Sequence, residues 1–444
     1  MEIGNRAVKK ALSLGATEAE AYIQRNTIIQ ANFSDKIDDL KTTASTGLGL
    51  RVILGKRVAM YSTSILTEDE VSAVVQRAVD IAKVAPEDPD WNQLNRSYGK
   101  TPVRGVFDEA TSKIEYAEIV EDINAAIAAA YAFDPRVKPT RGMLQIGTST
   151  TSVVNCYGDS VESKSTGGGA YILVKAEDGS LESAGTESRE VRAWGDMDLE
   201  AMAESASEKA ISFLKAETIP GGKMPVILDN KISASILGVM LTSPINADLV
   251  QKGGSPLADK IGDQIAAEDI TIVDDGTLPK GLNTGPFDAE GHPTQRTPVI
   301  ENGVLKSFLY DNYTALKDSI ESTGNAGRSG YSSPPSPSPT NLILAEGDAS
   351  PEEIIQETKR GLYVERVIGE WLSNSISGNL NATVTHGYLV ENGEFKAPVK
   401  GVVLAGNFYE LLKDGYEVIG NDTMNSNHLY SPTVKLRKLT VAGK

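Results

Sequence analysis

Metal-binding side chains are scarce in this sequence. The 444 residues contain one cysteine, Cys156, and three histidines, His292, His386 and His428. A single cysteine excludes a disulfide framework within the chain and fits a reducing compartment. No two histidines stand four residues apart, so the sequence lacks the helical histidine pair with an adjacent glutamate that zinc peptidases use. We therefore expect each histidine in a turn or at the surface, not on a metal.

Positive charge and long apolar runs are also in short supply. Lysine and arginine number 43 against 60 aspartates and glutamates, which gives a net charge of −17 and a pI near 4.8. Without an excess of cations, binding to nucleic acid is not expected, and an anionic membrane surface is disfavoured. No apolar run is long enough to predict a transmembrane helix, and the charged first residues do not resemble a signal peptide. The sequence predicts a soluble, cytoplasmic protein.

Signatures of phosphate binding and of nucleophilic hydrolases are missing as well. Gly47-Leu48-Gly49 lacks the third glycine of a dinucleotide fingerprint. Gly167–Gly169 is followed by a β-type run instead of a helix, and we interpret it as a turn or bulge. No Gly-x-Ser-x-Gly elbow precedes a predicted helix, and Cys156 has no basic cluster beside it that would make it a nucleophile.

The first half of the chain does contain a clear alternation of helices and strands. Apolar periodicity and turn signals predict the following elements. They are a helix over Ile3–Leu14, strands over Glu20–Ala31, Gly47–Leu54 and Val58–Ser64, a helix capped by Thr67 and Glu70, a helix over Thr111–Ala132, a β region over Met143–Ala193 and a helix over Asp198–Ala216. The pattern predicts an α+β domain over residues 1–219, ending at Pro220-Gly221-Gly222.

The second half, residues 220–444, predicts a β-rich domain. One helix has a capping box of Ser350 and Glu353, with Gly361 placed just past its end. Glu301-Asn302-Gly303 and Glu391-Asn392-Gly393 are each predicted to be hairpin tips. The proline-rich run Ser332–Thr340 cannot donate regular ladder hydrogen bonds and is predicted to be an extended surface loop.

A stretch dense in glycine, aspartate and asparagine, residues 271–328, is the most distinctive part of the chain; we call it the turn-rich block. Four carboxylates, Asp274, Asp275, Asp288 and Glu290, fall within 17 residues of it. They could bind a hard cation or form an acid–base pair, but the favoured interpretation is that they cap turns. We nevertheless predict a peptide- or partner-binding cleft here. Its candidate residues are Asp275, Asp288, Glu290, His292, Arg296, Asn325 and Arg328.

The turn-rich block and several other segments resemble the TldD/PmbA family, which is described as zinc-dependent peptidases of small peptides and as modulators of DNA gyrase. The matching pieces include TASTGLGLRVILGKRVAMYST in the first half, NLILAEGDASPEEIIQETKRGLYV in the second half, and the closing SPTVKLRKLTVAG. The resemblance covers nearly the whole chain. It implies an α+β N-terminal domain joined to a β-rich C-terminal domain, and two paralogous types of subunit that pair as a heterodimer.

The catalytic type in this family carries a His-Glu-x-x-x-His motif and a cysteine near the C-terminus that together hold zinc. Carried over by position, the first histidine falls on Gly238, the glutamate on Val239 and the second histidine on Ser243. The cysteine is expected near Val418–Asp422, where this chain has none. The resemblance therefore implies a PmbA-like (TldE) non-catalytic type, without zinc of its own, whose catalytic TldD-type paralogue carries the zinc.

Three functions follow from the residues and from the resemblance. The leading one is a non-catalytic subunit of a heterodimeric metallopeptidase for small or unfolded peptides, inactive alone. The first alternative is an active homodimeric peptidase with a relocated metal site that uses His292 with Asp288 and Glu290. The second alternative is a stand-alone protein that binds peptides by adding them to an exposed sheet edge.

Overall fold

Residues 1–158 and 160–443 are described by a computed structural model, and they form a mixed α+β protein, as predicted. The strands of the first half form one antiparallel sheet in the order β3-β2-β1-β4-β5-β6. Its strands are β1 Glu18–Phe33, β2 Ile37–Leu54, β3 Arg57–Thr63, β4 Val137–Asn155, β5 Ser160–Asp178 and β6 Leu181–Val191. The helices of this half are α1 Glu2–Ser13, α2 Glu68–Val84, α3 Tyr116–Phe133 and α4 Leu199–Ser212, with 3₁₀ turns at Thr111–Lys113 and Trp194–Asp196.

Helices cover this sheet because apolar residues alternate along its strands. Ala21 and Ile23 of β1 pack with Leu48 and Leu50 of β2 against helices α1 and α2. Farther along β1, Phe33 and its neighbours pack against α3 and α4. The odd-numbered residues of β1 thus point to the face of the sheet that the helices cover. The even-numbered residues point to the opposite face, which near the start of β1 contacts the second half of the chain.

The second half contains a six-stranded sheet, a seven-stranded sheet and a two-stranded ribbon. Its strands are β7 Gly222–Leu228, β8 Ile272–Asp275, β9 Arg296–Glu301, β10 Val304–Leu305, β11 Ala326–Gly327, β12 Ser336–Pro337, β13 Leu342–Leu344, β14 Arg360–Ile368, β15 Asn379–Glu391, β16 Glu394–Val399, β17 Val402–Asn407, β18 Tyr416–Ile419, β19 Met424–Ser426, β20 Leu429–Ser431 and β21 Val434–Ala442. Its helices are α5 Asn230–Leu241, α6 Ala247–Gln251, α7 Asn312–Lys317, α8 Pro351–Gln356 and α9 Phe408–Glu410, followed by a π-helical turn at Leu411–Gly415, and a 3₁₀ turn lies at Glu370–Leu372.

One large apolar core holds the two larger sheets of this half together. The six-stranded sheet runs β10-β9-β8-β13-β20-β19, and the other runs β14-β7-β21-β17-β15-β16 with β18 beside β21. Strand β15 pairs with β14 as well as β17, which closes a ring of strand pairings. Helix α5 buries Ile236, Leu237 and Met240 in this core. Every named strand pairs within its own half of the chain, and we retain 1–219 and 220–444 as its predicted division.

Several local predictions are confirmed because they rest on short-range chemistry. Ser350 and Glu353 form the reciprocal capping box of α8. Asn302-Gly303 and Asn392-Gly393 are hairpin tips, and all four residues adopt the positive φ that such turns require. The helix predicted over Asp198–Ala216 is present as α4, Leu199–Ser212, and Asp198 caps it by accepting a hydrogen bond from the amide of Ala201.

Other local predictions are wrong. Gly167–Gly169 lies inside β5, where Gly168 pairs with Ile146 of β4. Thr67 is the N-cap of α2 but makes no side-chain capping bond. The segment Thr111–Ala132 is a 3₁₀ turn followed by α3, since Glu115 with Glu118 caps a new helix there. Helix α8 ends at Gln356, and Gly361 belongs to β14.

The proline-rich run also differs from its prediction as a surface loop. It contributes the short strand β12, which pairs with β11 of the turn-rich block. Pro337 and Pro339 are buried, and the carbonyl of Pro337 accepts a hydrogen bond of 2.6 Å from Asn246. Proline lacks an amide hydrogen but keeps its carbonyl and its apolar ring, so the run can pack inward without a regular ladder.

His386 is a buried link between the two halves, where a surface or turn position was expected. It lies in β15, and its Nε2 donates a hydrogen bond of 2.8 Å to the carbonyl of Ala184 in β6. Its ring packs against Phe213, with 4.4 Å between the ring centroids. Burial disfavours the imidazolium and lowers the pKa of His386 to about 4.

This shift makes the folded protein sensitive to acid. The folded-state pKa lies below the ordinary value of about 6.5, so folding favours the neutral imidazole. The contribution of neutral His386 to the stability of the folded protein is complete above pH 6.5 and is lost as the pH falls towards 4. The loss amounts to at most about 3 kcal/mol. Urea unfolding between pH 4.5 and 7 should show a steeper fall in stability for the wild type than for His386→Gln, whose amide can still donate to Ala184. Equal pH slopes for the two proteins would refute this role.

Candidate functional site

The turn-rich block and the loop that follows it lie against one face of β1 and β2. Alternate residues of β2 point to this contact: Gly47, Gly49 and Arg51. The ring of Tyr331 lies over Gly47, and its carbonyl lies over Gly49 so closely that a Cβ at position 49 would overlap the oxygen. These two glycines therefore serve close packing between the two halves of the chain.

Four buried charges join the two halves beside this contact; we call Glu20, Arg51, Glu290 and Arg328 the four-charge cluster. Arg51 lies 3.1 Å from Glu20 and 2.7 Å from Glu290, and Arg328 lies 2.6 Å from Glu20. At most 5% of each of these side chains is exposed. Two carboxylates and two guanidinium groups balance each other, as buried charges must.

Both arginines also stack on aromatic rings and anchor the loop. The guanidinium of Arg328 lies 4.9 Å from the ring centre of Tyr22, and that of Arg51 lies 5.6 Å from the ring centre of Trp91. Arg328 also donates hydrogen bonds to the carbonyls of Ala289 and Ser333. A guanidinium group is suited to these contacts because it is planar: its edge donates hydrogen bonds to carbonyls and carboxylates while its face stacks on an aromatic ring.

Asp288 organises a tight turn of the block. Its carboxylate accepts hydrogen bonds from the amides of Glu290, His292 and Ala326 at 2.9, 3.0 and 3.1 Å. Burial and the neighbouring Glu290 raise the pKa of Asp288 well above its usual range, while the three amides act in the opposite direction. Burial lowers the pKa of His292, whose Nδ1 has no hydrogen-bond partner within the described part of the chain.

Asn325 ties the block to the proline-rich run. Its side-chain amide donates to Asp274 at 2.7 Å and to the carbonyl of Ser338 at 3.0 Å. Thr340 donates to the same aspartate through both its amide and its hydroxyl. Burial raises the pKa of Asp274 to about 6. The protonated carboxyl therefore stabilises the folded protein at low pH, and this stabilisation is lost as the pH rises from about 4 to 6. The pH dependence is opposite to that of His386, whose contribution is lost as the pH falls.

The predicted cleft residues thus divide into two groups. Asp288, Asn325 and Arg328 line one cavity, and Glu290 belongs to the four-charge cluster beside it. Asp275 instead caps a turn by accepting bonds from the amide and hydroxyl of Thr277, and Arg296 is exposed on β9.

The geometry does not favour a relocated catalytic centre at His292. Both oxygens of Glu290 are occupied, one by Arg51 and the other by the amide of Asn312. Both oxygens of Asp288 accept backbone amides. A general base needs an oxygen lone pair that can accept a proton from the substrate or from a water. The oxygens of Asp288 and Glu290 instead accept hydrogen bonds from the protein itself.

Two larger cavities among those between the two halves of the chain border the predicted site or helix α5. One, of about 500 Å³, is bordered by the turn-rich block, the proline-rich run and strands β1, β4 and β5. The other, of about 570 Å³, is bordered by β6, α4, the start of α5, β14 and β19. Lys209 bridges Glu187 and Glu365 in the second cavity, and Lys231 also binds Glu187, at 2.9 Å.

Helix α5 carries the positions where the resemblance implies a zinc motif. Gly238 and Val239 lie in its last turn, and Ser243 follows the helix at the surface. A Cβ at position 238 would overlap the Cδ1 atom of Leu429 and would lie 3.1 Å from its Cγ. The space where a side chain from position 238 would project is therefore filled by a leucine from β20.

The donor chemistry at this place does not fit zinc. Glycine and valine offer no side-chain ligand, and the neighbouring leucine is apolar. Asp422, near the expected cysteine position, is engaged by the amide group of Asn230 at 2.9 Å and by Thr433 at 2.8 Å. Within residues 1–158 and 160–443, no three histidine, cysteine, aspartate or glutamate side chains group as metal ligands.

A double-mutant cycle can test how Leu429 fills this space. Gly238→His is expected to lower the free energy of unfolding by about 1–3 kcal/mol, because the imidazole must displace the leucine. In a Leu429→Ala background the same substitution should be at least about 1 kcal/mol less destabilising. Urea unfolding of the four proteins measures this coupling, and additive effects would show that Leu429 does not obstruct position 238.

Sequence reasoning missed several residues that define the interface. Glu20 and Arg51 lie in strands, Arg192 directly follows the end of β6, and Tyr331 lies in the loop after the turn-rich block. One pattern could have identified them. Glu20 is a charged residue within the apolar start of a predicted strand, EAEAYI, and a charge that is buried there needs a partner of opposite charge. Nothing local identified that partner, since Glu20 and Arg328 are 308 residues apart.

Comparisons with known proteins match the chain along most of its length. Three family models of PmbA/TldA metallopeptidases match this chain. The model of domain 1 matches residues 19–82, that of the central domain matches residues 109–214, and that of the C-terminal domain matches residues 221–443. A metalloprotease of Methanothermobacter thermautotrophicus is 29% identical and covers 95% of this chain and 90% of its own. The metalloprotease PmbA of Escherichia coli O157:H7 is 26% identical over 100% of this chain and 97% of its own. The crystal structure of TldE from Thermococcus kodakarensis superposes with a TM-score of 0.91 at 25% identity, over 99% of this chain and 100% of that one.

Proposed function

The chain belongs to the PmbA/TldD metallopeptidase family, and from that premise we propose that it is the TldE-type, non-catalytic subunit of a heterodimeric peptidase. The catalytic paralogue supplies the zinc, and the substrates are short or unfolded peptides. The observation that carries the proposal is the last turn of α5. Gly238, Val239 and Ser243 stand at the motif positions, and Leu429 fills the adjoining space.

Full-length similarity supports this assignment. The PmbA relative and the TldE structure align with nearly the whole chain, so the proposed absence of the ligands does not depend on a missing segment. The helix that carries Gly238 and Val239 packs into the core through Ile236, Leu237 and Met240, so the fold at this place does not depend on a bound metal. A subunit of this kind can keep its fold and still cover or order the cleft of a paralogous partner.

An exposed apolar patch beside the larger cavity is suited to contact with that partner. Ile368, Trp371, Leu372 and Ile376 are 46%, 63%, 77% and 45% exposed. Glu370, between them in sequence, accepts a hydrogen bond from Ser235 of α5 and lines the 570 Å³ cavity. Large apolar side chains grouped at the surface mark interaction sites, and we assign this patch to the catalytic paralogue.

The experiment combines the purified chain with its catalytic paralogue. Only the pair should hydrolyse unfolded peptides, and the two chains should elute together in size-exclusion chromatography. Leu372→Asp should abolish co-elution and hydrolysis, whereas Ile65→Asp, at an apolar residue 55% exposed in the first half, should preserve both. Hydrolysis by this chain alone, as a homodimer or a monomer, would contradict the proposal. No helix among the described residues is long and apolar enough to cross a membrane.

A further inference from the structure

The cavity of about 500 Å³ between the two halves is bordered by many hydroxyl-bearing residues. Three charged side chains reach it, Arg192, Arg328 and Asp288. Hydroxyl-bearing residues border it on several sides, among them Thr151, Ser163, Ser165, Ser329 and Ser336. A wall of this kind offers hydrogen bonds to a polar ligand of a few residues' size.

Arg192 is the unusual member of the lining. It is 9% exposed, and its guanidinium donates only to carbonyl oxygens. The carbonyls are those of Thr166 in β5 at 3.1 Å, and of Gly281, Leu282 and Thr284 in the turn-rich block. Among residues 1–158 and 160–443, no carboxylate forms an ion pair with Arg192, and the one titratable group that acts on its charge is Tyr430.

The two other charges at the cavity already have partners. Arg328 is neutralised by Glu20 at 2.6 Å, and Asp288 accepts three backbone amides. Burial lowers the pKa of Arg192 to about 10, so the group is still a cation at neutral pH. A buried cation surrounded only by dipoles retains an uncompensated charge, and an anion entering the cavity would compensate it.

We infer that this cavity binds the C-terminal carboxylate of a short peptide, with Arg192 as its counter-charge. A terminal carboxylate is planar and carries one negative charge, which matches the single guanidinium of Arg192, since Arg328, the other cation at the cavity, is already paired with Glu20. The cavity volume admits the last two or three residues of a peptide, whose amides can meet the hydroxyl-rich wall. The choice of a peptide over other carboxylates rests on the proposed function; the anion site itself rests on Arg192.

Calorimetry with the full-length chain alone tests the inference. The probes are trialanine and its C-terminal amide, which differ only in the negative charge. Trialanine should bind, and the amide should bind at least about tenfold more weakly, because a hydrogen bond to a charged group is lost. Equal affinities, or no binding of trialanine, would overturn the inference. Failure of the paralogue to associate or to cleave peptides leaves this result unchanged, so the two proposals fail separately.

Two variants locate the binding at Arg192. Arg192→Gln should abolish the preference for trialanine over its amide while the chain still unfolds cooperatively. Because Arg192 also holds the carbonyls of the turn-rich block, a second variant leaves it in place. Ser165→Asp puts a carboxylate into the same cavity and should also remove trialanine binding, whereas Ser165→Asn, of similar size and uncharged, should keep it. Unaltered binding in Ser165→Asp would contradict the site.

Inorganic phosphate distinguishes a peptide site from a general anion site. Millimolar phosphate should displace trialanine poorly, since phosphate lacks the peptide amides that meet the hydroxyl wall and carries more charge than one arginine balances. Phosphate binding tighter than that of trialanine would overturn the assignment to a peptide terminus. Acetate should compete weakly and only in proteins that retain Arg192.

Discussion

Replacement of Arg51 by methionine is expected to lower the free energy of unfolding by about 3–5 kcal/mol, because it leaves buried carboxylates without their cation. Arg51 lies 3.1 Å from Glu20 and 2.7 Å from Glu290, and each of these glutamates is 1% exposed. Arg328 still neutralises Glu20, but Glu290 would keep only the amide of Asn312. Methionine fills much of the arginine's volume, so the loss reports charge more than cavity formation.

The matched control is Arg57→Met in the neighbouring strand β3. Arg57 is 41% exposed and lies 3.3 Å from Glu87, which is 64% exposed. A surface pair of this kind contributes about 0–1 kcal/mol, so the control should unfold almost like the wild type. Urea denaturation followed by circular dichroism measures both variants. Losses of similar size in the two would show that the four-charge cluster does not hold the halves together.

Gly49→Ala is expected to be destabilising at or above the upper end of the roughly 1–3 kcal/mol range for overpacked sites. A Cβ there would overlap the carbonyl oxygen of Tyr331 and lie 2.9 Å from the carbonyl carbon. A backbone carbonyl cannot rotate away as a side-chain tip can, so the loop containing Tyr331 must move off β2. Arg328, three residues earlier, would lose its position beside Glu20, and the 500 Å³ cavity would open.

Gly330→Ala provides a control in the loop itself. No atom lies within 4 Å of a Cβ built at Gly330, and the backbone there does not adopt a positive φ. The substitution should therefore leave stability within about 0.5 kcal/mol of the wild type. Limited proteolysis gives a second measurement, since only Gly49→Ala should expose the loop to cleavage. Equal protease resistance of the two variants would contradict the close contact with β2.

Much of the secondary structure could be predicted because its causes are local. The capping box at Ser350 and Glu353 and the hairpin tip at Asn302-Gly303 depend on residues within three positions of each other. The α+β class follows from periodicity alone. Predictions failed where distant contacts decided the outcome, as at Gly168, whose neighbours come from another strand, and at His386, which is held by Ala184.

The site was less predictable than the fold. The turn-rich block was correctly singled out as distinctive, and Asp275 caps a turn as aspartates in such segments do. Its partners, Glu20 and Arg51, lie more than 230 residues away, and no local pattern connects them. Gly47 and Gly49 illustrate the difficulty. The sequence shows only that they do not form a dinucleotide-binding loop, whereas the structure shows that they allow Tyr331 to pack closely against β2. The assignment of Gly238, Val239 and Ser243 to the zinc-motif positions rests only on the resemblance to the family, and it stays a prediction.

Metal analysis of this chain and of its complex with the catalytic paralogue is the most direct test of the proposed non-catalytic role. Both are purified, dialysed against the same zinc-containing buffer and measured by inductively coupled plasma mass spectrometry. The predicted result is well under one zinc per chain for this protein alone and one zinc per pair for the complex. One tightly held zinc per chain in the isolated protein would contradict it.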